Sequence, residues 1–324
     1  MGRTSSTGIA IATIFILLIG LELFFGLHAA RLPKFSPNND DKTLTSSSFS
    51  SIPKSPTNAP LDHSQVRVKK DDFIYAQSEW DSSPVVLEEY KLIFFTIPKV
   101  ACTVWKQLFR RMMGNKNWTL PAHNPKTNGL RYLHHYSLER ATEFMTSPEY
   151  TRAIFVRDPK ERFVSAFLDK VLNNGAFIQR KCCDEREKSC YANASASLGG
   201  FLRLAKVCDE NDHWGAQSER MEDKYWSYID FVGNMDNVVE DSKRLLKRVN
   251  AWERFGKKGW GKFQEESIFQ TTTVNHATGA KNKMWRYDSL QLERDVEQFY
   301  HSDYQSPILN FTKKQYYNNQ TATV

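Results

Sequence analysis

The sequence predicts an α/β domain with a central parallel sheet flanked by helices, and three observations carry that expectation. First, a short and almost continuously apolar run, a charged turn and an amphipathic helix follow one another three times, beginning at Lys91, Arg152 and Tyr228. Strands apolar on both faces belong to parallel sheets covered by helices on each side. Second, 40% of the 324 residues are hydrophobic and 13% aromatic, enough for a large core and too many for a disordered chain. Third, 15 Gly and 12 Pro exclude a collagen-like chain, and five Cys without a CxxC pair exclude a zinc ribbon or a disulfide-built miniprotein. The 44 Lys and Arg against 37 Asp and Glu leave a net charge of +7, which points to anionic partners.

In chain order, residues 1–7 read as a cytoplasmic tail and Gly8 to Ala30 as a transmembrane signal anchor, long enough for a hydrocarbon core of about 30 Å. A signal peptide cut near Ala29 and Ala30 is the competing reading, and Glu22 is costly in lipid. Residues 31–70 form a Ser/Thr/Pro-rich stem that cannot repay the entropy of ordering. Residues 71–324 make the globular domain. Its four sequons, at Asn117, Asn193, Asn310 and Asn319, favour a lumenal or secreted location together with the anchor. In such an oxidising compartment Cys182, Cys183, Cys190 and Cys208 can form two bridges. Setting aside the strained adjacent pair leaves two connectivities, both open.

The first unit is the strand KLIFFTIPK (Lys91 to Lys99) leading into the helix VACTVWKQLFRRMMG. It places Pro98, Lys99, Val100, Ala101, Cys102 and Thr103 at the strand's carboxyl end, where ligands of open α/β sheets gather. A Walker loop is absent. An anion cradle is nevertheless built from a Lys at the strand end, small Ala101 for close approach, the Thr103 hydroxyl and the second charge of Lys106. The alternative is a solvated strand-to-helix turn. Cys102 is expected to pack against the sheet rather than serve as a nucleophile.

The second unit, RAIFVRDP (Arg152 to Pro159), repeats the architecture with Arg157 at the strand end and Pro159 in the first helical turn. Phe163, Phe167 and Val171 form one apolar row of its helix and Val164, Leu168 and Leu172 another, leaving Ser165 off the stripe. Arg157 can grip phosphate bidentately with Ser165 as a lateral donor, and Asp158 orients Arg157 or caps the helix. The third unit is YIDFVGNM (Tyr228 to Met235) with the helix DNVVEDSKRLLKRV. A last helix, Gln291 to Tyr300, packs by Leu292, Val296 and Phe299.

Two cationic turns in one sheet suit a ligand with two separate anionic groups. The pairing of IPKVACTVWK with FVRDPKERFVSAFLDK resembles the membrane-bound carbohydrate sulfotransferases, close in type to the chondroitin and dermatan 4-O-sulfotransferases. His213-Trp214 and YIDFVGNMDNVVEDSKRLL extend the resemblance, which spans Leu92 to Leu246. Lys160 stands where the family often has an aromatic, and Asn234 and Asp236 replace its usual Lys and Glu. GAQSERMEDKYW stands where a Cys-rich segment often follows. These departures bear on the acceptor and the disulfides.

The resemblance implies a P-loop-like sulfotransferase fold in a single-pass type II Golgi membrane protein with its catalytic domain in the lumen. It also implies PAPS (3′-phosphoadenylyl sulfate) as co-substrate, no metal, a glycan or proteoglycan acceptor and no nucleic-acid partner. By that resemblance Lys99 neutralises the leaving phosphate, Thr103 with the amides of Ala101 and Cys102 holds the 5′ end, and Arg157 with Ser165 fixes the 3′-phosphate. The acceptor's proton needs a base. His213 matches the family segment, His135 lies where related uronyl 2-O-sulfotransferases place a histidine, and His276 is a third choice. A kinase or nucleotide hydrolase using the same turns is disfavoured by the missing Walker Gly-Lys pair. An inactive glycan-binding protein is disfavoured by the intact Lys99, Arg157 and Ser165.

Overall fold

Four strands form the sheet, in the spatial order in which they occur along the chain: β1 (Val85–Leu87), β2 (Leu92–Phe95), β3 (Thr151–Val156) and β4 (Phe231–Asn234). They belong to a computed structural model that describes residues 66–76, 83–183, 189–270 and 278–318. The expected anchor at 8–30, most of the stem and His276 lie outside the described residues. Among the described residues no helix is long and apolar enough to cross a membrane.

As the apolar runs predicted, β2, β3 and β4 are parallel, with Phe95 opposite Ile154 and Val156 opposite Asn234. The sheet as a whole is mixed. β1 joins the β2 edge antiparallel, Val85 facing Phe94, after a tight turn that sets Lys91 in the left-handed region (φ 47). Three residues of VVL carry too little pattern to announce a strand, and a hairpin needs no crossover helix to mark it. Gly233 in β4 is required by close approach, since any side chain there would meet the Phe155 ring at 2.4 Å.

Helices fill the connections: α1 (Cys102–Met112), α2 (Leu138–Thr146), α3 (Pro159–Ala166), α4 (Gly175–Lys181), α5 (Ser189–Ala196), α6 (Leu198–Val207), α7 (Asp223–Trp226), α8 (Val238–Arg248), α9 (Leu290–Phe299) and α10 (His301–Gln305). α1 buries Val104, Trp105, Leu108, Phe109 and Met112, one face at helical spacing, and Trp105 lies 4.5 Å from the Phe155 ring centre. The expected second-unit helix is interrupted: after α3 the chain widens into a π-helical turn, Phe167–Leu172. Leu172 is therefore 38% exposed, whereas Phe163, Val164, Phe167, Leu168 and Val171 are buried.

The sheet core of Phe94, Trp105 and Phe155 adjoins a second apolar cluster in which Phe163, Phe167, Phe201, Trp214 and Val296 join α3 to α6 and α9. Two disulfides brace that cluster. Cys182 pairs with Cys208, tying the end of α4 to the end of α6, and Cys183 pairs with Cys190 at the start of α5. α6 packs against α5, bringing Cys190 and Cys208 to the adjacent Cys182 and Cys183, and of the two open connectivities the structure has Cys182–Cys208 with Cys183–Cys190.

Candidate active site

β2 and β3 are neighbours, so their carboxyl-terminal turns lie side by side. In the first turn the backbone turns sharply: Lys99 (φ 69) and Ala101 (φ 52) are both left-handed, a conformation that costs a non-glycine residue about 1 kcal/mol or more. Ala101 is the N-cap of α1 and offers no side-chain cap, so the first amides of the helix have no capping oxygen from it. Lys99 is 11% exposed and its Nζ donates to Asp169 Oδ2 at 2.7 Å. Burial pushes its ammonium below the usual lysine range, opposed by the charge of Asp169. Burial would raise the Asp169 carboxyl in turn, yet Lys99 and Lys170 hold it below the usual carboxylate range.

The second turn is tied to the first by Arg157, whose Nη1 donates to the Lys99 carbonyl at 3.3 Å. Its Nη2 lies 3.6 Å from Glu161, while its Nε is buried without a hydrogen-bond partner among the described residues. Burial lowers the Arg157 pKa against the pull of Glu161. Asp158 caps α3, its Oδ1 accepting from the Glu161 amide at 3.0 Å; burial raises its carboxyl above the usual range. Ser165 is buried beneath Thr278, Oγ to Oγ1 3.0 Å, rather than open at the helix surface. Lys106 is likewise fully enclosed in α1.

Arg162 and Gln217, which no sequence argument singled out, hold these turns in place. Arg162 is completely buried and donates to three backbone carbonyls: Pro98 from Nε (3.0 Å), Gly215 from Nη1 and Asp212 from Nη2 (both 2.6 Å). Gln217 accepts from the Arg157 amide and donates to its carbonyl, at 3.0 and 2.8 Å. Their partners are some fifty or more residues away in sequence, so no local pattern exposes the bond.

The three base candidates fare differently. Asn211 Oδ1 takes a bond with His213 Nδ1 at 2.9 Å, and the ring stands edge-on to Phe177. His213 thus belongs to the loop that Arg162 ties to Pro98. His135 accepts from the Tyr132 amide at 3.3 Å and packs against His134, beside the β1 edge, with its pKa lowered by burial and by Arg131. Neither contact is with Lys99 or Arg157. His276 lies outside the described residues. A histidine that the sequence reading passed over does touch the first turn: His123 Nε2 lies 2.9 Å from Thr103 Oγ1. Among the described residues no group of His, Cys, Asp and Glu could hold a metal ion.

The family model described as the sulfotransferase family matches residues 83–306, which takes in both turns, all four strands and α9. Among curated proteins, carbohydrate sulfotransferase 11 of Mus musculus is 36% identical over 184 residues, 50% of this chain and 51% of that protein. Carbohydrate sulfotransferase 8 of the same organism is 22% identical over 242 residues, 70% of this chain and 56% of the relative. Carbohydrate sulfotransferase 14 of Danio rerio is 25% identical over 197 residues, 54% of this chain and 53% of its own. The chain thus spans about half the length of the curated relatives it matches. No solved structure matches it.

Proposed function

The chain belongs to the sulfotransferase family, and from that premise we propose that it transfers a sulfuryl group from PAPS to a hydroxyl of a glycan in the Golgi lumen. One observation carries the reading: two largely enclosed cations, Lys99 and Arg157, stand at the ends of adjacent parallel strands and are joined through the Lys99 carbonyl. Their spacing along two turns suits a donor anionic at both ends, and the buried, unpartnered Nε of Arg157 suits an anion beside it.

When bound, PAPS supplies a sulfuryl group on a phosphate leaving group. Sulfur loses its bond to the phosphate oxygen and gains one to the acceptor oxygen. The acceptor's proton passes to a base, and adenosine 3′,5′-bisphosphate departs. Lys99 would neutralise charge at the phosphate oxygen, with Thr103 and the amides of Ala101 and Cys102 around the 5′ end. Arg157 and Ser165 would hold the 3′-phosphate. Asp158, fixed as a cap, has no part in proton transfer. Among His213, His135 and His123, the contact with Thr103 favours His123.

Exposure of Asn117, Asn193 and Asn310, together with two disulfides, supports a lumenal domain carried by a membrane anchor. The test incubates the protein with sulfur-labelled PAPS and a glycan panel and measures binding of adenosine 3′,5′-bisphosphate. Label transfer and bisphosphate binding are expected; absence of both sinks the proposal.

A further inference from the structure

We propose that Asp169 is a positioning residue for Lys99: it aims the amine at the first turn and keeps it charged for the anionic donor. The inference rests on the sulfotransferase reading and concerns a residue to which neither turn motif gave a role.

The geometry comes from two departures from regular structure that meet. Lys99 leaves β2 in a left-handed conformation, unusual for a residue with a side chain. Asp169 sits in the π-helical turn Phe167–Leu172, whose wider winding shifts the phase of the helix after Ala166. Phe167, Leu168 and Val171 stay in the second core cluster while Asp169 reaches Lys99 Nζ at 2.7 Å. π-Turns of this kind recur at functional sites. The same Oδ2 also meets Lys170 Nζ at 3.4 Å, so one carboxylate oxygen faces two ammonium groups.

Four groups surround the Lys99 amine and backbone: the Asp169 carboxylate, the Lys170 ammonium, the Cys102 thiol and the Arg157 guanidinium on its carbonyl. Burial and Lys170 push its proton off, while Asp169 and Cys102 hold it on. Without Asp169, the amine that faces the donor becomes neutral at lower pH and loses its fixed direction.

The test titrates Lys99 in the full chain by competitive amine labelling read by mass spectrometry, alongside binding of adenosine 3′,5′-bisphosphate. In Asp169→Asn the labelling midpoint should fall by about one pH unit or more, as expected for loss of a carboxylate within hydrogen-bond reach. Bisphosphate binding should weaken most on the alkaline side, and Asp169→Glu should restore both. Lys170→Met removes the competing ammonium and should move the midpoint upward, which keeps the test open if the Asn variant fails to fold. A Lys99 midpoint unmoved in the folded variants, or a loss of binding equal at every pH, would overturn the inference. A wild-type protein that neither binds bisphosphate nor transfers label instead sinks the sulfotransferase reading, while the labelling midpoints still report on the Asp169 pair.

Discussion

Lys99 carries its charge where burial opposes it, so its contribution is set by pH. The protonated amine is the form that can neutralise a phosphate, and its pKa lies below the usual lysine value. Turnover should therefore fall on the alkaline side earlier than for a solvated lysine, seen as the high-pH limb of kcat/KM against pH. Lys99→Ala should lower kcat by roughly 100-fold or more, consistent with removal of a group aimed at developing charge. Arg162 is the structural counterpart. Arg162→Met would strip three carbonyls, the Pro98 one buried and two part-buried, of a charged donor, and a stability loss of about 3 kcal/mol, read by chemical denaturation, is expected. At this scale the sequence disclosed Lys99 and Arg157 because each ends an apolar run. Arg162 and Gln217 stayed hidden because their function is to reach across the fold, and His123 because it sits in a loop without periodicity.

The left-handed turn and the π-turn decide where the side chains of the site point. Ala101→Gly should be tolerated or slightly stabilising, since glycine adopts φ 52 freely, whereas a β-branched Val should destabilise by about 1–2 kcal/mol. Thermal melts of the two variants check this. The Cys182–Cys208 bridge closes a 26-residue separation, and its replacement by Ala at both positions should cost about 3–4 kcal/mol. Denaturation of the variant against wild type measures it. Strand and helix positions were legible because burial on both faces and 3.6-residue spacing write themselves into side-chain type. β1, the π-turn and the disulfide pairing were not: three residues hold no period, a π-turn differs from an α-turn by hydrogen-bond register alone, and pairing depends on how α5 and α6 fold back.

Across the domain, the three parallel strands bring two distant sequence motifs side by side, and the second apolar cluster packs α3, which follows the second turn, against α6 and α9. For a lumenal domain, glycosidase treatment of secreted or membrane-extracted protein should give up to four stepwise losses of gel mobility shift, from the sequons at Asn117, Asn193, Asn310 and Asn319, each removed by an Asn→Gln change. The sheet has one further property at its β1 border. There the outer backbone of β1 is already engaged: the Val86 amide donates to Arg131 at 2.8 Å, the Leu133 amide to Pro84 at 3.0 Å, and Val85 bridges Tyr132. An edge so occupied offers no row of free amides and carbonyls for an incoming strand. Assembly of this domain with another copy through this border will have to use side-chain surfaces, because sheet extension through β1 is closed.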